Sequence, residues 1–257
     1  MKTTKQNKIK KIHLCADDYG MSVPINKGII QLLNLGRLSA VSCATNYSHW
    51  KHSAKKLLPF IEQVNIGLHF NLDTTIINLI IKSYTKQLKP QAILQELRMQ
   101  YNEFIKYIGH APAYIDGHQH IHSLPTIREC IINFCSTHAP QIPMRMTQNE
   151  QKTLKGLIIN SLGAHALYKA SKKENLILNK DLVGIYNFNQ SDKYSFFFDK
   201  FLSLCSNNSL IMCHPATVDT HDAFRYNELK FFCGDNFITL LKKHNCMLKK
   251  HEQQYHL

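Results

Sequence analysis

Short apolar or β-branched runs recur along this chain at residues 11–16, 38–44, 64–72, 113–117, 143–147, 182–186, 209–213 and, more weakly, 246–249. Segments of helical spacing separate them. Strands that alternate with helices pair in parallel, because each connection is long enough to cross back over the sheet. The alternation therefore predicts an α/β fold with seven or eight mainly parallel strands in a single domain, either a barrel or a doubly wound sheet. Ser22 and Pro24 are placed to open a first helix with Ile25, Ile29, Leu32 and Leu33 on its inner face and Gly36 at its end. Further helices are expected over 91–108, 127–135, 151–169, 194–204 and 227–243.

Both architectures gather their chemistry at the C-terminal ends of strands. Three polar clusters stand at such ends: Ala16-Asp17-Asp18-Tyr19-Gly20, Gly67-Leu68-His69, and Asp116-Gly117-His118-Gln119-His120-Ile121-His122. Adjacent carboxylates and clustered imidazoles beside hydrophobic strands require a metal, a counter-charge or hydrogen bonds to offset the cost of burial. The residues read as a mononuclear metal site of one Asp and two His, with a second Asp left to move protons. Successive side chains on a strand diverge, so Asp17 and Asp18 can hold two different jobs; a helix N-cap before Ser22 is the plainer alternative. His69, alone in an apolar strand, fits a core histidine as easily as a ligand. Three His at spacing two share one face if the segment is extended, and Asp116 shares that side. Neutral imidazoles are the commonest protein metal ligands and carboxylates orient them. Spacing leaves open which of His118, His120 and His122 would bind. His214, in Cys213-His214-Pro215, is a candidate general acid. Arg145, a lone charge in an apolar run, requires a buried carboxylate partner, for which Asp17 is the candidate.

Composition excludes more than it specifies. The 257 residues carry 31 Lys+Arg against 18 Asp+Glu, a formal charge of +13. The basic residues are scattered, with no stripe interleaved with aromatics, so nucleic acid is not an expected partner. The eight cysteines form no Cys-x-x-Cys pair, and several sit inside apolar runs, which suits a reducing cytoplasm better than a disulfide scaffold. Residues 1–8 read as a basic tail ahead of one domain over 9–257. No run approaches the roughly 20 apolar residues of a membrane span, so a cytoplasmic protein is expected. The sequence leaves room for a homo-oligomer.

Several stretches together resemble the YdjC-type carbohydrate deacetylases, which include the chitooligosaccharide deacetylases. They are Ala16-Asp17-Asp18-Tyr19-Gly20-Met21-Ser22, Asn26-Lys27-Gly28-Ile29, Gly67-Leu68-His69-Phe70-Asn71-Leu72, Tyr114–His122 by number 114–122, Met212-Cys213-His214-Pro215-Ala216, and Arg225-Tyr226-Asn227-Glu228-Leu229. The resemblance runs from about residue 9 to the C-terminus. It implies a distorted (β/α) barrel and a metal-dependent hydrolase that removes N-acetyl groups from amino sugars or oligosaccharides. By position it implies metal ligands Asp18, His69 and His118, with Asp17 as general base and His214 as general acid. Asp116, His120, His122 and Arg145 would support these groups or touch the sugar. The cofactor would be one divalent ion, magnesium or zinc. The chain departs from the family pattern at Gly117 and Gln119, where Ser and His are usual, and over 73–90, which is short. The bare residues also admit another metallohydrolase, such as a phosphoesterase, or a non-catalytic sugar- or anion-binding module.

Overall fold

The computed structural model describes residues 8–139, 142–151, 153–218 and 222–249. The tail expected over 1–8 lies outside them but for Lys8. Seven strands are present among the described residues: β1 Lys10–Tyr19, β2 Ala40–Cys43, β3 Asn65–Phe70, β4 Ile115–Gly117, β5 Leu182–Val183, β6 Leu210–Cys213 and β7 Cys246–Leu248. All pair in parallel, in the order β4-β3-β2-β1-β6-β5, with β7 also on β1. The sheet curls into a half-barrel within one domain, with β1 at its centre. Eight of its ten residues are buried, as expected of a parallel strand covered on both faces.

Ten α-helices among the described residues surround this sheet: α1 Val23–Asn34, α2 Trp50–Ser53, α3 Ile76–Tyr84, α4 Pro90–Ile108, α5 Ile127–Thr137, α6 Leu154–Ile159, α7 His165–Lys173, α8 Tyr194–Leu204, α9 Ala223–Cys233 and α10 Asp235–Lys243. The first begins as its sequence predicts. The Ser22 hydroxyl accepts from the Ile25 N–H, and Pro24 occupies the first turn. It ends at Gly36, whose φ of 63° is the left-handed conformation that glycine adopts without strain. Trp50 is fully buried and stacks on Phe104 of α4, with ring centroids 6.0 Å apart. That contact ties α2 to the long helix beside β3. No helix among the described residues is long and apolar enough to cross a membrane.

Several expected elements differ. The run 143–147 is not a strand: only Met144 pairs, through isolated bridges to Ile115 and Ile177. The sheet is therefore open on that side. The strand expected over 182–186 stops at Val183, because Gly184, at φ 104°, turns the backbone close to the Met212 carbonyl. The helix expected over 151–169 is broken into α6 and α7 at Gly163, which approaches the Ser123 carbonyl where a Cβ would stand 2.3 Å away. The helix expected over 227–243 is two helices divided at Gly234. Two helical regions were not expected: α2 with the 3₁₀ turns of Ala54–Phe60, and α3 within the short 73–90 segment.

Candidate active site

The bulged end of β1 brings the two adjacent aspartates together. Pairing with β2 runs regularly to Ala16, skips, and resumes at Tyr19, and Asp18 takes a φ of 75°. Bulges re-aim side chains at sheet edges and sites. Here both carboxylates enter one cleft instead of diverging as strand alternation suggests. Gly20, at φ 103°, then turns the chain toward α1 under the Ala44 carbonyl. Neither aspartate caps a helix, since Ser22 does so.

The strand ends converge on that cleft, about 380 Å³ in volume and lined by Asp17, Asp18, His69, His118, Arg145 and His214 among others. A larger groove of about 780 Å³ lies by Gln148, Glu150, His165 and Asp181 and contains none of the expected site residues. Single ligand-type atoms of Asp18, His69 and His118 lie within 4.8 Å of one another. Asp18 Oδ1 is 3.4 Å from His69 Nε2 and 3.1 Å from His118 Nδ1. Behind His69, its Nδ1 meets Asp116 Oδ1 at 2.6 Å. Asp116 Oδ2 accepts from the Ser42 hydroxyl at 2.7 Å and pairs with Arg145 Nη1 at 2.9 Å.

The expectation for Arg145 holds. It is fully buried, and its two terminal nitrogens each donate to one oxygen of Asp17 at 2.7 Å. A second close group, Cys15, Asp17 and Asp116, surrounds this guanidinium. Arg145 supplies the positive charge there and pairs with both carboxylates, which ties that group together as an ion-pair network.

The histidine segment departs from the extended geometry assumed for it. Gln119 and His120 take left-handed φ values of 50° and 63°, and the chain winds as a short 3₁₀ stretch, His118–Ser123. The three imidazoles consequently do not share one face. His118 turns to Asp18, while His120 lines the cleft. His122 is fully buried and its Nε2 donates to the Arg145 carbonyl at 2.9 Å.

Electrostatics follow from this packing. Burial opposes ionisation of Asp17, but Arg145 outweighs it and holds the carboxyl well below the usual carboxylate range. Asp18 is likewise held low, against burial, by His118, His69 and Arg225. Burial alone would lower His69, yet Asp116 and the two neighbouring aspartates push it up to about 10. His214 Nε2 lies 4.0 Å from Asp17 Oδ2; burial is the dominant influence and lowers the imidazole to about 4, so it is neutral at neutral pH.

Two residues of α9 belong to the site although neither had been singled out for a role. Arg225 Nη2 bonds Asp18 Oδ2 at 2.7 Å. Glu228, fully buried, accepts from the His214 backbone N–H and from the Tyr186 hydroxyl. Their signal in the sequence was a charged pair three residues apart shortly after His214.

The YdjC-like protein family model matches residues 11–243. The chain belongs to the YdjC-like family. A relative, the chitooligosaccharide deacetylase of Yersinia enterocolitica, is 26% identical over 224 residues, covering 79% of this chain and 81% of that one. Among solved structures, an Enterococcus faecalis V583 protein described as a candidate for cellobiose-phosphate cleavage superposes with a TM-score of 0.69 at 15% identity, covering 94% of this chain and 97% of that one. The Bc1960 peptidoglycan N-acetylglucosamine deacetylase gives 0.54 at 12% identity, covering 95% and 86%. At such identities the two structural likenesses concern the fold, a (β/α) half-barrel shared with this YdjC-like chain.

Proposed function

We propose that this protein hydrolyses the acetamide of N-acetylated amino sugars, with one divalent metal held by Asp18, His69 and His118. The observation that carries the reading is the convergence of these three residues beside Asp17 and His214. Family membership and the deacetylase name of the Yersinia relative support it.

The donor set fits a metal. One carboxylate and two imidazoles match ordinary mixed ligation, and Asp116 behind His69 is the usual carboxylate support of a ligating histidine. Such a ligand set suits zinc and also admits magnesium. When bound, the ion would supply Lewis acidity toward water and the acetyl oxygen.

The chain's own residues account for the proton. Asp17 is ionised at neutral pH and is the base that accepts a proton from the attacking water. His214, neutral at rest and 4.0 Å away, takes that proton on and delivers it to the departing nitrogen. Water adds to the acetyl carbon, the C–N bond breaks, and acetate and the free amine leave. His120 lines the same cleft and is placed to touch the sugar, while Asp116, His122 and Arg145 hold their neighbours in position. The cysteines, all free and all but Cys233 buried, fit a cytoplasmic location.

The test is acetate release from N-acetylglucosamine and its oligosaccharides by the metal-supplemented protein. Asp17→Asn should retain metal and lose at least about a hundredfold in rate, the lower range for positioned acid–base groups. No release by the wild type at one metal per chain would overturn the reading and direct the search to phosphate esters.

A further inference from the structure

We infer that Arg225 is a positioning residue for Asp18, restricting it to one ligating oxygen and weakening the hold on the metal in exchange for an open coordination sphere. The inference rests on the metal reading above. The two oxygens of Asp18 have different surroundings: Oδ1 faces His69 Nε2 and His118 Nδ1, whereas Oδ2 is taken by Arg225 Nη2 at 2.7 Å. A carboxylate with both oxygens free can swing or ligate through both; one clamped by a guanidinium offers a single oxygen.

Arg225 is itself well held. Its side chain is only 12% exposed, and its carbonyl accepts from the Ala216 N–H at 3.2 Å, just beyond β6. The guanidinium lies 5.3 Å from the Phe224 ring centroid, and Phe224 stacks on Phe188 at 4.1 Å with the planes 5° apart. One turn along the same helix, Glu228 receives the His214 N–H. A single helix thus grips both a proposed ligand and the proposed proton carrier.

Charge and geometry pull in opposite directions here. A fixed cation beside a metal site opposes metal binding by Coulomb repulsion, an effect that persists in a partly buried cleft. Asp17 and Asp116 do not need this second guanidinium, since Arg145 already pairs with both. Ordinary structural support would strengthen metal binding; a clamp of this kind weakens it while fixing the ligand.

The experiment measures the dissociation constant and the visible spectrum of the cobalt(II) complex of the full-length wild type, Arg225→Met and Arg225→Lys. Arg225→Met should bind cobalt at least about threefold more tightly, with altered d–d bands as Asp18 gains freedom. Arg225→Lys, which keeps the charge without the fork, should bind like the wild type but still show altered bands. Should Arg225→Met fail to fold, Arg225→Gln takes its place with the same expectation. Unchanged or weaker binding in the neutral variant would overturn the inference, and so would tighter binding with unaltered bands. A wild type that binds no cobalt would be a different failure, that of the metal reading itself.

Discussion

Arg145 grips Asp17 with both arms of its guanidinium, Nη1 to Oδ1 and Nη2 to Oδ2 at 2.7 Å each, where neither residue is more than 2% exposed. The same Nη1 reaches Asp116 Oδ2 at 2.9 Å. One cation therefore balances the proposed base and the support of a proposed ligand.

Removing that cation should be costly. Arg145→Met leaves two buried carboxylates without their partner, and breaking a buried pair typically destabilises by about 3–5 kcal/mol. Urea unfolding at pH 7 measures this directly. Arg145→Lys should recover only part of the loss, because an ammonium cannot bridge both oxygens in the planar geometry observed. A change below about 1 kcal/mol in Arg145→Met, the range of exposed pairs, would contradict the account.

Asp116 orients His69 through Nδ1, which leaves Nε2 toward Asp18. Asp116→Asn should weaken metal binding by about 10- to 100-fold, the usual effect of losing such a support. Titration calorimetry with zinc, beside a circular dichroism check of the fold, reads the effect. Unaltered affinity would mean that His69 is not a ligand.

His122 is fully buried, and burial lowers it to about 4 although Asp116 opposes that shift. The unfolded chain protonates this imidazole near pH 6.5, so below that pH the unfolded state binds a proton that the folded state refuses. Stability should therefore fall as pH drops from about 6.5 to 4, by an amount on the order of 3 kcal/mol for this one group. Burial raises Glu228 to about 7, which acts with the opposite sign: it stabilises at low pH and loses that contribution between about 4.5 and 7. Comparison of His122→Asn with wild type isolates the histidine. Its unfolding free energy should depend less on pH across 6.5 to 4, and parallel curves would refute the assignment.

Gly67 lies against the Tyr114 ring so closely that a Cβ would stand 2.4 Å from its atoms. The Tyr114 hydroxyl in turn bonds Ser42, which donates to Asp116. Gly67→Ala should cost about 1–3 kcal/mol, typical of overpacking, and reduce turnover by disturbing the support of His69. The double variant with Tyr114→Leu should recover stability but not turnover. A fully active and stable Gly67→Ala would show that the ring moves aside freely.

Much of this fold was legible in local residues. The runs at 11–16, 64–72 and 209–213 lie in or overlap β1, β3 and β6, Ser22 and Gly36 bound α1, and 194–204 coincides with α8. Such signals work because strand burial and helix caps depend on neighbours in the chain. The failures share a cause in distant contacts. Met144 pairs only through isolated bridges to Ile115 and Ile177, and Gly163 yields to the Ser123 carbonyl.

The sequence by itself determined which chemistry this protein carries: adjacent aspartates, imidazoles after strands, and an arginine needing a carboxylate. Only the tertiary structure decided how those groups divide their work. The left-handed turns at Asp18, Gln119 and His120 set which atoms face the cleft, and no spacing rule anticipates them, since each is stabilised by what surrounds it. Arg225 and Glu228 come into range of Asp18 and His214 only when α9 packs over the ends of β1 and β6. Ionisation follows the same logic, because burial and charge partners are properties of the folded cleft and not of the chain.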